Sequence, residues 1–157
     1  MINRLLTLLA TAMLVSGCAS TPEPSEPAAI DFGDFTSSTL TTNAWLALAA
    51  GDFENAITYT EKCAELYEVE ARKMQASMTE TAHPDDVHDY WALNDVGTSY
   101  FIKGEALIKL GRKAEAIEAF KVVRDELNYA QAWDPKGWYW RPSTAAYPKI
   151  QMLEGDF

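Results

Sequence analysis

Two stretches of the chain, 60 residues apart, can be laid over each other on a single glycine: Ala49-Ala50-Gly51-Asp52-Phe53-Glu54-Asn55-Ala56-Ile57 and Lys109-Leu110-Gly111-Arg112-Lys113-Ala114-Glu115-Ala116-Ile117. In each, one amphipathic segment passes into another through a residue that can adopt positive φ without steric cost. The surrounding pattern is helical. Ala44, Ala47 and Leu48 lead to Gly51, and Phe53, Ala56, Ile57, Cys63, Tyr67, Ala71, Met74 and Met78 continue beyond it in steps of mostly three and four. A second stripe of Val87, Tyr90, Trp91, Gly97, Tyr100, Phe101, Gly104, Leu107 and Ile108 runs to Gly111, followed by Ala116, Ile117, Phe120 and Val123. No segment alternates with period two, so the expected class is all-α.

The second stretch resembles the tetratricopeptide repeat family. Tyr100, Gly104, Leu107, Gly111, Ala116 and Phe120 fall at that family's spacing: large, small and aliphatic residues on a first helix, glycine in the turn, then alanine and an aromatic on the second. The physics agrees, because Gly104 and Ala116 lack bulk where two helices must touch. In the first stretch Phe53, Ala56 and the small Cys63 fit, whereas Trp45 sits out of register and Thr60 stands where the family has an aromatic. The resemblance spans roughly residues 39 to 129 and implies helical hairpins.

The turn glycines are 60 residues apart against a family period of 34. The surplus of 26 falls between Cys63 and Tyr100, where the stripe breaks only at His83-Pro84-Asp85-Asp86. Divided between two helices, it lengthens each by about 13 residues, or roughly 20 Å. The expectation is a long central antiparallel helix pair, opened by proline and capped by an aspartate. Gly97 and Gly104, seven apart on one face, are expected at close helix contacts, since each costs about 1 kcal/mol relative to alanine in a helix interior.

At the N-terminal end, Arg4 precedes an apolar run from Leu5 to Val15 that is too short to span a bilayer. It ends in Val15-Ser16-Gly17-Cys18, which resembles the lipobox of bacterial lipoproteins. That resemblance implies a signal peptide over 1–17, cleavage before Cys18, and lipid on Cys18 as the membrane anchor. Ala19 rather than Asp after the cysteine implies the outer membrane, with the protein facing the periplasm. Residues 18–38 then read as a tether, with Pro22, Pro24 and Pro27 spaced through it. Twenty residues at up to about 3.3 Å each reach some 65 Å.

Removing residues 1–17 deletes Arg4 alone among charged residues, so the formal net charge moves from −10 to −11. Such a body repels phosphate and is a poor match for nucleic acid. Cys63 is the only other cysteine, so the chain has no pair for an internal disulfide once Cys18 is lipidated. It reads as a buried structural thiol.

The densest unusual feature is Trp133-Asp134-Pro135-Lys136-Gly137-Trp138-Tyr139-Trp140-Arg141-Pro142. Pro135 and Pro142 deny it a continuous helix, so residues 130–157 are expected to form an irregular, aromatic C-terminal cap. If the backbone is extended, Trp138 and Trp140 share one face and Tyr139 takes the other. Trp133, Trp138, Tyr139, Trp140 and Arg141 are therefore read three ways: a cap over a short repeat stack, a partner-binding surface, or a sugar-stacking platform.

His83, Asp85, Asp86, His88 and Asp89 match no strong metal-ligand spacing and read as a solvated helix start. No Gly-rich phosphate loop, nucleophile elbow or paired-acid motif is present, so neither catalysis nor a cofactor is expected. The repeat resemblance implies an interaction adaptor in the bacterial envelope, holding an unidentified envelope protein. A carbohydrate-binding or carbohydrate-processing envelope protein is the alternative. Two repeats leave open faces, so self-association is a further expectation.

Overall fold

A computed structural model describes residues 29–155. Cys18, the leader and most of the tether lie outside the described residues. Five α-helices follow one another: α1 (Ser37–Ala50), α2 (Phe53–Ala76), α3 (Trp91–Lys109), α4 (Lys113–Lys121) and α5 (Pro142–Glu154). A two-stranded antiparallel hairpin, β1 (Ala132–Asp134) with β2 (Trp138–Trp140), lies between α4 and α5.

The two glycine turns are structurally the same. Gly51 and Gly111 take φ of 80° and 73°. The Gly51 amide donates to the Leu48 carbonyl and the Asp52 amide to that of Ala47; sixty residues on, Gly111 donates to Ile108 and Arg112 to Leu107. Each helix end thereby satisfies two otherwise orphaned carbonyls in a left-handed cap. Asp52 also accepts from the Asn55 amide to start α2, while Arg112 provides no side-chain cap for α4.

The central antiparallel pair is present: α2 has 24 residues and α3 has 19, so they are about 36 and 28 Å long at 1.5 Å per residue. The surplus does not divide evenly between them. Helix α2 stops at Ala76, where the Ser77 hydroxyl turns back to the Met74 carbonyl. A connection through Pro84 leads to a short 3-10 turn at Val87–Tyr90 before α3 begins. Met78 leaves the helix yet still packs against the core, which preserves its place in the apolar stripe. The expected aspartate cap is absent, since Asp86 makes no side-chain hydrogen bond to the turn.

The core has two adjoining parts. One joins Ile57, Phe101, Leu107, Phe120, Ile150 and Leu153; the other joins Leu40, Cys63, Ala71, Leu93, Val96, Leu127 and Ala130. Helix α4 ends in a single π-helical turn, Val122–Glu126, in which the Leu127 amide reaches back to the Val122 carbonyl. Leu127 and Ala130 are fully buried behind that turn.

The C-terminal segment is not irregular. Pro135 occupies the hairpin turn, where Gly137 donates to the Asp134 carbonyl and the Lys136 amide to the Asp134 carboxylate. Pro142 then starts α5 at a position where a missing N–H costs nothing. Helix α5 buries Ala146, Ile150 and Leu153 and packs on α4 and the π-helical turn. Pro148 is tolerated within α5 on its exposed side.

Candidate functional site

The hairpin leans over a groove whose other walls are α1 and the beginning of α3. Asn94 ties it down: its side-chain carbonyl accepts the Gln131 amide at 2.9 Å and its amide donates to the Val87 carbonyl at 2.7 Å. One α3 residue thus fixes both the 3-10 turn and the hairpin base. The resulting cavity of about 320 Å³ is lined by Thr41 and Trp45 of α1, Trp91, Asp95 and Thr98 of α3, and Trp133 and Tyr139 of the hairpin, among others.

Four aromatic rings stand around it. Trp91 and Trp133 are 44% and 56% exposed, large values for residues that favour burial. Trp133 meets Tyr139 edge to face at 5.0 Å, and Tyr139 Oη lies 3.3 Å from His88 Nε2. Trp91 is braced edge-on by Tyr67 at 5.5 Å. Trp45 leans on Phe101 and Trp140. That contact accounts for its departure from repeat register, because Trp45 packs towards the C-terminal hairpin.

Asp95 supplies the carboxylate among the lining residues. Ser37 Oγ donates to its Oδ2 at 2.5 Å, and burial pushes its pKa above the usual carboxylate range. Beneath it Thr41 bridges the helices, donating to the Asp95 carbonyl and pairing with the Ser99 hydroxyl at 3.1 Å. The Cys63 thiol lies 3.7 Å from Thr41 Oγ1 and is held protonated by burial, which raises its pKa. It is an inert structural thiol.

The helical scaffold has a recognised signature. The tetratricopeptide repeat model matches residues 97–121, from the middle of α3 to the end of α4. The module is tetratricopeptide-like. Its α3–α4 pair carries the match, and α1–α2 repeats the same turn geometry. No curated protein and no solved structure matches the chain. Tetratricopeptide repeats generally serve protein–protein interaction and are typically non-catalytic.

Of the five aromatic-segment residues singled out from sequence, Trp133 and Tyr139 line the groove of this tetratricopeptide-like module. The other three do not. Trp140 turns to the opposite face of β2 and packs on Phe101 at 5.2 Å, closing the core. Trp138 is half exposed away from the groove, with Lys136 Nζ 5.9 Å from its ring. Arg141 donates to the Asn128 carbonyl, which Ser143 also engages, and so pins the start of α5. Trp91, Asn94 and Asp95 were not singled out as site residues. Consecutive polar residues behind a tryptophan at a helix start are the signal that was available.

A second cavity, about 390 Å³, opens between α3 and α4 beside Tyr100, Lys103, Glu115 and Glu118. Its polar groups are already engaged: Lys103 pairs with Glu61, Glu115 with Arg112, and the Tyr100 hydroxyl with Glu68. Among the described residues no three His, Cys, Asp or Glu side chains converge as a metal site. His83 meets only Asp85, at 3.4 Å on the surface.

Proposed function

We propose that this chain is a lipid-anchored adaptor of the bacterial envelope that holds a partner protein in the groove between α1, α3 and the C-terminal hairpin. The observation that carries the reading is the convergence of Trp45, Trp91 and Trp133, from three separate elements, on one open cavity. Tryptophans concentrate binding energy at interfaces because they offer large rigid area with a polar edge. Leaving two of them about half exposed costs the free chain solvation that a partner would recover.

The anchor is lipid on Cys18, with the protein at the outer membrane facing the periplasm and the tether lifting the module from the bilayer. The acidic body is consistent with this assignment, since a net charge of −11 after cleavage would be repelled by anionic head groups and membrane attachment would need such an anchor. Metabolic labelling with a clickable fatty acid tests it: wild type incorporates label, and Cys18→Ala does not. The adaptor reading is tested by crosslinked co-purification from native membranes. A protein retained by wild type should be lost from the Trp91→Ala/Trp133→Ala variant while the Trp138→Ala control keeps it. Equal retention by all three would reject the groove as the binding surface.

A further inference from the structure

The groove has a charge asymmetry that its aromatic walls make chemically specific. Among the described residues Asp95 is its one carboxylate, and no lysine or arginine lines it. Among the described residues the only side-chain donor to that carboxylate is Ser37 Oγ, on Oδ2, and no basic side chain pairs with it. Other carboxylates that contribute to packed surfaces, such as Glu61, Glu68, Glu105 and Glu115, do have basic partners. A partly buried carboxylate facing a cavity without a counter-charge is costly, and a cation entering that cavity relieves the cost.

The walls narrow the choice of cation. Trp91, Trp133 and Tyr139 present aromatic surface to the same cavity, and ring faces attract ammonium and guanidinium groups. A bare metal ion would need more donors than one carboxylate and one histidine, and no three metal-binding side chains converge among the described residues. We propose that the groove accepts the cationic head of an arginine or lysine side chain presented by the partner, with Asp95 as its counter-ion and Trp91 and Trp133 as its aromatic walls. This rests on the adaptor reading for its biological occupant, but the cation preference is a property of the groove itself.

The probes are N-acetyl-arginine amide and its neutral isostere N-acetyl-citrulline amide, titrated into the full chain in detergent micelles. The readout is the indole N–H resonances, with Trp138, away from the groove, as the internal control. Arginine amide should move the Trp91 and Trp133 signals and bind about tenfold more tightly than citrulline amide, as expected for one charge-assisted contact of about 1.4 kcal/mol. Asp95→Asn keeps an acceptor for Ser37 and should erase the preference. Trp133→Ala, at an exposed position, should weaken both probes while keeping it, so the outcome does not hang on one variant folding. Equal binding of both amides, no shift at saturating probe, or a larger shift with N,N′-diacetylchitobiose than with arginine amide would overturn the proposal. If the arginine preference holds while co-purification fails, the adaptor reading falls and the cation site stands.

Discussion

A Cβ added to Gly104 would sit 2.5 Å from Cε1 of Phe120, and within 2.8 Å of two further atoms of the same ring. Phe120 is fully buried, so its ring cannot swing into solvent without disturbing the core around it. The glycine in α3 and the aromatic in α4 are therefore one packing unit.

Gly104→Ala should destabilise the fold by about 1–2 kcal/mol, because overpacking outweighs the gain in helix propensity. Gly104→Leu should be more severe. Urea unfolding measures both, and Phe120→Leu should recover part of the loss in a double-mutant cycle. Gly97 behaves alike, since its added Cβ would lie 2.5 Å from that of Ala130. Unchanged stability in the leucine variants would remove the close-packing account.

Gly111 makes a different demand. An added Cβ there would meet nothing within 4 Å among the described residues, so its φ of 73° is the constraint that an alanine would meet. Gly111→Ala should cost about 1 kcal/mol through the left-handed backbone alone, and Gly111→Asn less. Thermal melts of the two variants should rank them in that order.

Trp138 and Trp140 lie on the same short strand but carry unequal structural weight. Trp140→Ala should lose about 2 kcal/mol, below the usual value for a fully buried aromatic because the ring is only partly covered. Trp138→Ala should leave the denaturation midpoint close to wild type. Equal losses would contradict the placement of Trp140 against Phe101.

Tyr100 provides the pH test. Burial, then the Glu68 carboxylate beside its hydroxyl, pushes its pKa from the ordinary 10.0 up to about 12. In the unfolded chain it ionises near 10, so its contribution to stability is intact below that pH and is lost as pH rises towards 12. A spectrophotometric titration should show a late-ionising tyrosine component. Tyr100→Phe should remove that component and flatten the alkaline fall in stability between those values.

The helical scaffold was legible because its constraints are local. Gly51 and Gly111 mark turns by backbone demand, and the spacing of Tyr100, Gly104, Ala116 and Phe120 encodes two helices in contact. The C-terminal segment was less legible. The prolines at 135 and 142 correctly ruled out one continuous helix, but each also suits a regular element: a hairpin turn and a helix start. Ala146, Ile150 and Leu153 then repeat at helical spacing behind Pro142.

Half of the groove's aromatic wall was hidden for another reason. Trp45 and Trp91 lie 46 residues apart in sequence, the first reading as out of repeat register and the second as a member of the helical stripe that runs to Gly111. Only the pairing of α1 with α3, and the anchoring of the hairpin by Asn94, brings them to the cavity that Trp133 and Tyr139 also line. Such long-range convergence leaves no periodic trace.

Site-specific photocrosslinking in intact membranes tests the central claim most directly. A benzophenone side chain would replace Trp91, Trp133 or, as a control away from the groove, Val69 on α2, which is 85% exposed. The groove positions should give a discrete adduct with a second protein, and Val69 should not. Adducts from Val69 alone, or equal adducts from all three, would contradict an interaction held in the groove.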